Sequence, residues 1–236
     1  VLSGLAFVYG WLVLPESLPP QRRMPFAWRR ANPFGALVLL RSRAGLPGLA
    51  AVNFLLYFAH HVFSAVFVLY AGYRYGWSTG EVGAVLALVG ALDVAVQGSA
   101  VGPVVRRLGE GRTMVLGLFG GAVGIACMGL APSGLWFARA MVPNELWGYA
   151  MPTLQSLMTQ RVSESEQGQL QGALNSLASV AGVLSPLFFG AIYAVTVGAQ
   201  AWLDSPGIAF LIAACVLAAA GVLGQRVLRP VQEVPA

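Results

Sequence analysis

Apolar residues fall in long unbroken runs along this chain, and short polar stretches separate the runs. Six of them have the length a helix needs to cross about 30 Å of hydrocarbon at 1.5 Å per residue. They cover residues 49–70, 81–104, 114–130, 136–158, 173–197 and 208–228. Pro143 and Pro152 interrupt the fourth and should kink it. A shorter apolar stretch, residues 1–14, lacks the basic start of a leader and reads as the tail of a spanning helix whose beginning is missing. Between it and the first full run lies a Pro- and Arg-rich loop, broken by an apolar patch at 34–40 that predicts a short helix on the membrane surface. Tyr70, Tyr73, Tyr75 and Trp77 crowd the far end of the first run, as an interfacial aromatic belt would.

Composition sharpens this picture. The chain has 236 residues, 57% of them apolar, with a mean hydropathy of +0.72. Only 10% are charged, well under the roughly one quarter of a soluble domain, so the pattern is that of an integral membrane protein. The formal charge of +5 comes from arginines at the ends of apolar runs, where they act as topology signals. They form no stripe with interleaved aromatics, which excludes a nucleic-acid surface. About twelve of the arginines fall on the side that holds the 18–48 loop, against Arg74 and Arg139 on the other, which places that loop and both ends of the segment in the cytoplasm. Cys127 and Cys215 lie inside apolar runs, and no ligand spacing indicates a metal or another cofactor.

Ionisable residues inside spans are the candidate chemistry. His60 and His61 lie near the middle of the first run, Asp93 near the middle of the second, and Glu145 near the middle of the fourth. The third and sixth runs have no such residue. This distribution predicts a polar cavity lined by some helices and braced by others. Carboxylates and an imidazole at one depth could exchange protons or bind a cationic substrate. The two histidines are about 100° apart on a helix, so one of them should face the cavity. Gln97 lies one turn beyond Asp93 on the same face. Asn53, Gln155 and Asn175 are further polar candidates for the cavity wall, and Trp147 could stack on an aromatic substrate. For each, the alternative is a helix-to-helix hydrogen bond or plain packing.

The loops carry further marks. Ser163 and Glu166 have capping-box spacing and predict a helix start leading into the fifth run. GPVVRRLGEGR, with Gly102, Arg106, Arg107, Gly109 and Arg112, predicts a tight cytoplasmic turn whose arginines meet lipid phosphates or acidic helix ends.

LPES at 14–17, GPVVRRLGEGR at 102–112, GYAMPTLQSLM at 148–158 and EQGQLQGALNSLASVAGVLSPLFFGAIY at 166–193 together resemble the C-terminal half of a major facilitator superfamily transporter. Among these the chain is most similar to the tetracycline-resistance branch of drug/proton antiporters. The resemblance implies an all-α polytopic membrane helix bundle. Residues 1–14 would end helix six, 15–48 would be the central cytoplasmic linker, 49–228 the C-terminal six-helix bundle and 229–236 a cytoplasmic tail. Helices seven, eight, ten and eleven would line the cavity, with nine and twelve peripheral. The tetracycline pumps have a histidine where this chain aligns Asp93, keep Gln97, and have an aspartate where this chain has Gly121. Arg106 stands where the superfamily's loop motif has an aspartate. The differences at positions 93 and 121 point away from tetracycline itself; the loop motif is commonly degraded in the second half of these transporters.

The function expected is therefore a secondary active transporter of the inner membrane, a proton-coupled antiporter that exports small amphipathic molecules. Asp93 would carry the proton or bind the substrate, with His60 or His61 and Glu145 as auxiliaries. Its partners would be a small-molecule substrate, protons, the lipid bilayer and a missing N-terminal six-helix half. Transport of another solute, such as a sugar or metabolite, by symport is the neighbouring alternative. A non-transporting membrane sensor or scaffold is the alternative from another class. No motif for metal-dependent hydrolysis, a nucleophile elbow or ATP binding is present, so an enzyme is not expected.

Overall fold

A computed structural model describes residues 2–13, 33–197 and 205–228, and among these every regular element is helical. The helices are α1 (Leu2–Val13), α2 (Pro33–Ser42), α3 (Leu46–His60), α4 (Val62–Tyr75), α5 (Thr79–Ala95), α6 (Val101–Leu108), α7 (Glu110–Gly129), α8 (Gly134–Asn144), α9 (Ala150–Thr159), α10 (Gln167–Thr196) and α11 (Ile208–Leu228). Most of the expected linker and all of the expected tail lie outside the described residues. Five continuous helical stretches are long and apolar enough to cross a membrane: Leu46–Tyr75, Thr79–Leu108, Glu110–Gly129, Glu164–Thr196 and Ile208–Leu228.

Local chemistry sets the boundaries. Gly45, at φ 78°, turns the chain into α3, and Gly76, at φ 66°, ends α4 in the left-handed conformation that glycine adopts at little cost. A capping box starts α5: the Ser78 amide and hydroxyl both donate to Glu81 Oε2, at 2.7 and 2.8 Å. Ser163 and Glu166 form the second such box, at the head of α10. The fourth apolar run folds as two helices, α8 and α9, joined by a 3₁₀ turn at Glu145–Tyr149. Pro143 and Pro152 flank that turn, and neither can donate the backbone hydrogen bond an α-helix requires.

Two expectations need correction. The stretch GPVVRRLGEGR is not a tight turn over its length: Gly102, Arg106 and Arg107 are helical in α6, and Arg112 is in the first turn of α7. The reversal is confined to Gly109, at φ 77° and ψ 162°. Pro103 is tolerated because a turn of π-helix at Val96–Ala100 widens the ladder just before it, where the proline ring would otherwise meet the carbonyl of Ser99. The aromatic residues closing α4 are also not a lipid-facing belt, Tyr73 apart. Tyr70 is buried, the Tyr75 hydroxyl donates to the Ala131 carbonyl at 3.0 Å, and Trp77 packs edge-on against Phe137. Gly76 folds the chain back, so the following indole turns inward.

The bundle is built on α7. Its glycines Gly117, Gly120, Gly121 and Gly124 form one face at helical spacing, and this face lies against the α8 end, the 3₁₀ turn and the start of α9. Its other side packs along α11, where Gly221 receives Phe119 and Gly224 receives Met114. In turn α3 packs on α11 and α10, and α4 on α10. The α7 span is half buried, whereas Val82 is the one buried residue of the α5–α6 span, whose main contacts with the rest of the bundle are to the 3₁₀ turn, α8 and α7. Of the five spans, the one that carries Asp93 is thus the least covered.

Candidate functional site

The broken helix 134–159 places Asn144, Glu145 and Thr153 inside the bundle. Around its 3₁₀ turn, Asn144 and Glu145 are 4% and 2% exposed, and Asn144 Oδ1 and Glu145 Oε2 have no hydrogen-bond partner. An unpartnered buried acceptor costs about 1–3 kcal/mol, more when charged, so two at adjacent positions mark a place arranged for something other than stability. Both residues line a cavity of about 350 Å³. Asp93 and Val89 of α5, His60, and Phe63, Ser64 and Phe67 of α4 complete much of its wall.

Within this cavity the charged groups form one set. Asp93 interacts electrostatically with both Glu145 and His60. Gln97 Nε2 donates to Asp93 Oδ1 at 2.6 Å, which holds the carboxylate from one side. The His60 ring stacks on Trp147 at 3.8 Å between centroids and 20° between planes. Trp147 is itself placed by glycine: a Cβ at Gly121 would lie 2.8 Å from Trp147 Cβ and 3.0 Å from Leu217 Cδ2. An acidic side chain at position 121 has no room in this packing.

His61 points elsewhere. It lies between α3 and α4, stacks on Tyr57, comes within 3.4 Å of the Ser64 hydroxyl and faces Gly182 of α10. A step of one residue turns a helical side chain by about 100°, which separates it from His60.

The other polar candidates are not in the same place. Asn53, Gln155 and Asn175 meet in a second cavity of about 210 Å³, together with Tyr57, Met151, Gln171 and Leu174. Tyr57 and Gln171 escaped sequence reasoning although their spacing could have shown them: each is one helical turn, four residues, from Asn53 or Asn175. Asn144, readable as part of a proline kink, belongs to the first cavity. Neither α7 nor α11 lines either cavity. Arg139 sits 5.5 Å over the Trp136 ring, away from both. Among the described residues no three His, Cys, Asp or Glu side chains gather to hold a metal ion.

Comparison with known proteins agrees with this architecture. The family model described as Major Facilitator Superfamily matches residues 1–186 and 101–235. The class C tetracycline resistance protein of Escherichia coli is 31% identical over 216 residues, 92% of this chain and 53% of that protein. The class G tetracycline resistance protein of Vibrio anguillarum is 35% identical over 201 residues, 84% of this chain and 50% of that one. The chain spans about half the length of these curated relatives. Among solved structures, the crystal structure of the human organic anion transporter MFSD10 (TETRAN) superposes with a TM-score of 0.77 at 22% identity, over 95% of this chain and 55% of that one. That likeness shows the fold.

Proposed function

The chain belongs to the major facilitator superfamily, and we propose that it forms the C-terminal six-helix half of a proton-coupled antiporter that exports small amphipathic molecules by alternating access. The observation that carries this reading is the convergence of Asp93, Glu145 and His60 in one largely apolar cavity, where Glu145 Oε2 and the neighbouring Asn144 Oδ1 have no hydrogen-bond partner. A carboxyl group buried without a cation costs several kcal/mol as a bare charge, so such a group holds either a proton or a cationic ligand. Exclusive occupancy by one or the other is the elementary step of antiport, because loading the substrate expels the proton. Gln97 keeps Asp93 oriented through either state. Phe63, Phe67 and Trp147 supply the apolar and aromatic wall for the rest of the substrate.

The names of the relatives, tetracycline resistance proteins, support export of a drug-like molecule. Position 121 argues for a solute handled differently from theirs. In this reading residues 1–14 end helix six, 15–48 link the halves in the cytoplasm, 49–228 form the bundle and 229–236 a cytoplasmic tail. The N-terminal half covers the exposed α5 and supplies the opposite cavity wall. The arginine asymmetry supports an inner-membrane protein with both ends of this segment in the cytoplasm.

The test uses the full-length protein in inside-out vesicles energised with a proton gradient, with candidate drugs screened for collapse of that gradient. Asp93→Asn and Glu145→Gln are each expected to lower drug-dependent collapse at least tenfold while the protein still inserts. Normal collapse in both variants would sink the assignment, and no collapse with any solute in folded wild-type protein would favour a non-transporting sensor.

A further inference from the structure

The second cavity has a chemistry of its own. It shares α3 and the broken helix 134–159 with the first, displaced by about two turns along α3 toward the arginine-rich end of the bundle. Its third wall is α10 rather than α5. Three helices each present a pair one turn apart: Asn53 and Tyr57 from α3, Met151 and Gln155 from α9, Gln171 and Asn175 from α10. None of the lining residues carries a charge.

Asn53 forms the floor. The residue is 4% exposed and its Nδ2 has no hydrogen-bond partner. A native fold leaves few buried amide donors idle, because each costs about 1–3 kcal/mol. Around this donor stand three more carboxamides and a phenol, groups that donate and accept alike. Met151 and Leu174 offer apolar contact to a flat ring. An ion seated against these residues would lose hydration and meet no counter-charge from them, whereas a neutral group with a donor and an acceptor side by side would have both satisfied.

We propose that this cavity is a second binding site, distinct from the acidic one, which takes an uncharged ring-sized solute through a carboxamide group. The carbonyl oxygen accepts from Asn53 Nδ2, and the amide N–H groups donate to the side-chain carbonyls at the rim. About 210 Å³ holds one substituted aromatic ring. The site works by neutral hydrogen bonding, so its occupancy does not require the proton step assigned to Asp93.

The test measures binding of benzamide and of benzoate, its anionic counterpart of similar shape, to the full-length protein in lipid nanodiscs, by saturation-transfer NMR with titration. Benzamide should bind saturably and benzoate about tenfold or more weakly, as expected where a charge goes uncompensated. Asn53→Leu and Asn175→Leu should each weaken benzamide about tenfold, and Asp93→Asn should leave it unchanged. Asn175 lies at the exposed rim, so its variant keeps the test valid even where Asn53→Leu fails to fold. Equal binding of the two probes would overturn the proposal. So would loss of benzamide in Asp93→Asn with Asn175→Leu unaffected, or the absence of saturable benzamide binding in folded protein, which would make this a water-filled cavity only. Retained benzamide binding together with absent proton flux would sink the antiport reading and leave this one standing.

Discussion

Gly117 of α7 faces backbone rather than side chain, so replacing it with alanine tests whether the glycine face positions the site. A Cβ there would lie 2.7 Å from the Ala150 nitrogen, 2.9 Å from the Leu146 carbonyl oxygen and 3.2 Å from Ala150 Cβ. Ordinary contact begins near 3.4 Å, so the two segments must separate by about 0.7 Å. Neither neighbour can swing aside, since both close atoms belong to the main chain. Overpacking of this kind costs about 1–3 kcal/mol, and the backbone contacts put Gly117→Ala toward the upper end. Alanine's better helix propensity returns about 1 kcal/mol. A net loss of about 2 kcal/mol lowers the melting temperature by roughly 4–8 °C in a protein of this size. Gly72→Ala is the control, because nothing lies within 4 Å of its added carbon. The assay is thermal unfolding in detergent, followed by drug-dependent collapse of a proton gradient in vesicles. Flux should fall more steeply than stability, because Leu146 and Ala150 bracket Trp147 and the displacement reaches the His60 stack. A Gly117→Ala variant that melts and transports like wild type would refute the idea that this approach sets the position of the turn.

Two further outcomes follow from contacts away from the cavities. Ser163→Ala removes the capping box at the head of α10 and should destabilise by about 1 kcal/mol, read as faster hydrogen exchange in the amides of its first turn with little effect on flux. The Ser185 hydroxyl is fully buried and donates to the Phe58 carbonyl at 2.7 Å, tying α10 to α3, so Ser185→Ala should cost about 1 kcal/mol in thermal unfolding and leave benzamide binding unchanged.

Features that depend on neighbours in the chain are legible in the order of residues alone. The Ser163–Glu166 box and the Asp93–Gln97 pair are contacts three and four residues apart, and both are present. The proline-flanked interruption of the fourth run is legible for the same reason, since Pro143 and Pro152 remove hydrogen bonds within their own helix. The tight turn expected over residues 102–112 shows the limit of such reading. Glycine and proline both count as helix breakers there, but a π turn absorbs the proline and only Gly109 reverses the chain.

Sequence by itself determined that the chain is a bundle of membrane helices, which apolar runs carry ionisable groups and which ends of those runs carry arginine. These are properties of run length, composition and order, and the desolvation cost of a charge in hydrocarbon makes them hard to read otherwise. Only the tertiary structure decided that the polar residues divide between two cavities, one acidic and one neutral, and that His60 rather than His61 enters the first. The reason is that a helix's rotation about its own axis is set by what it packs against. Here that is the glycine face of α7, whose closest contacts on the broken helix lie about 20 to 33 residues away in the chain, at Asn144, Leu146, Trp147 and Ala150.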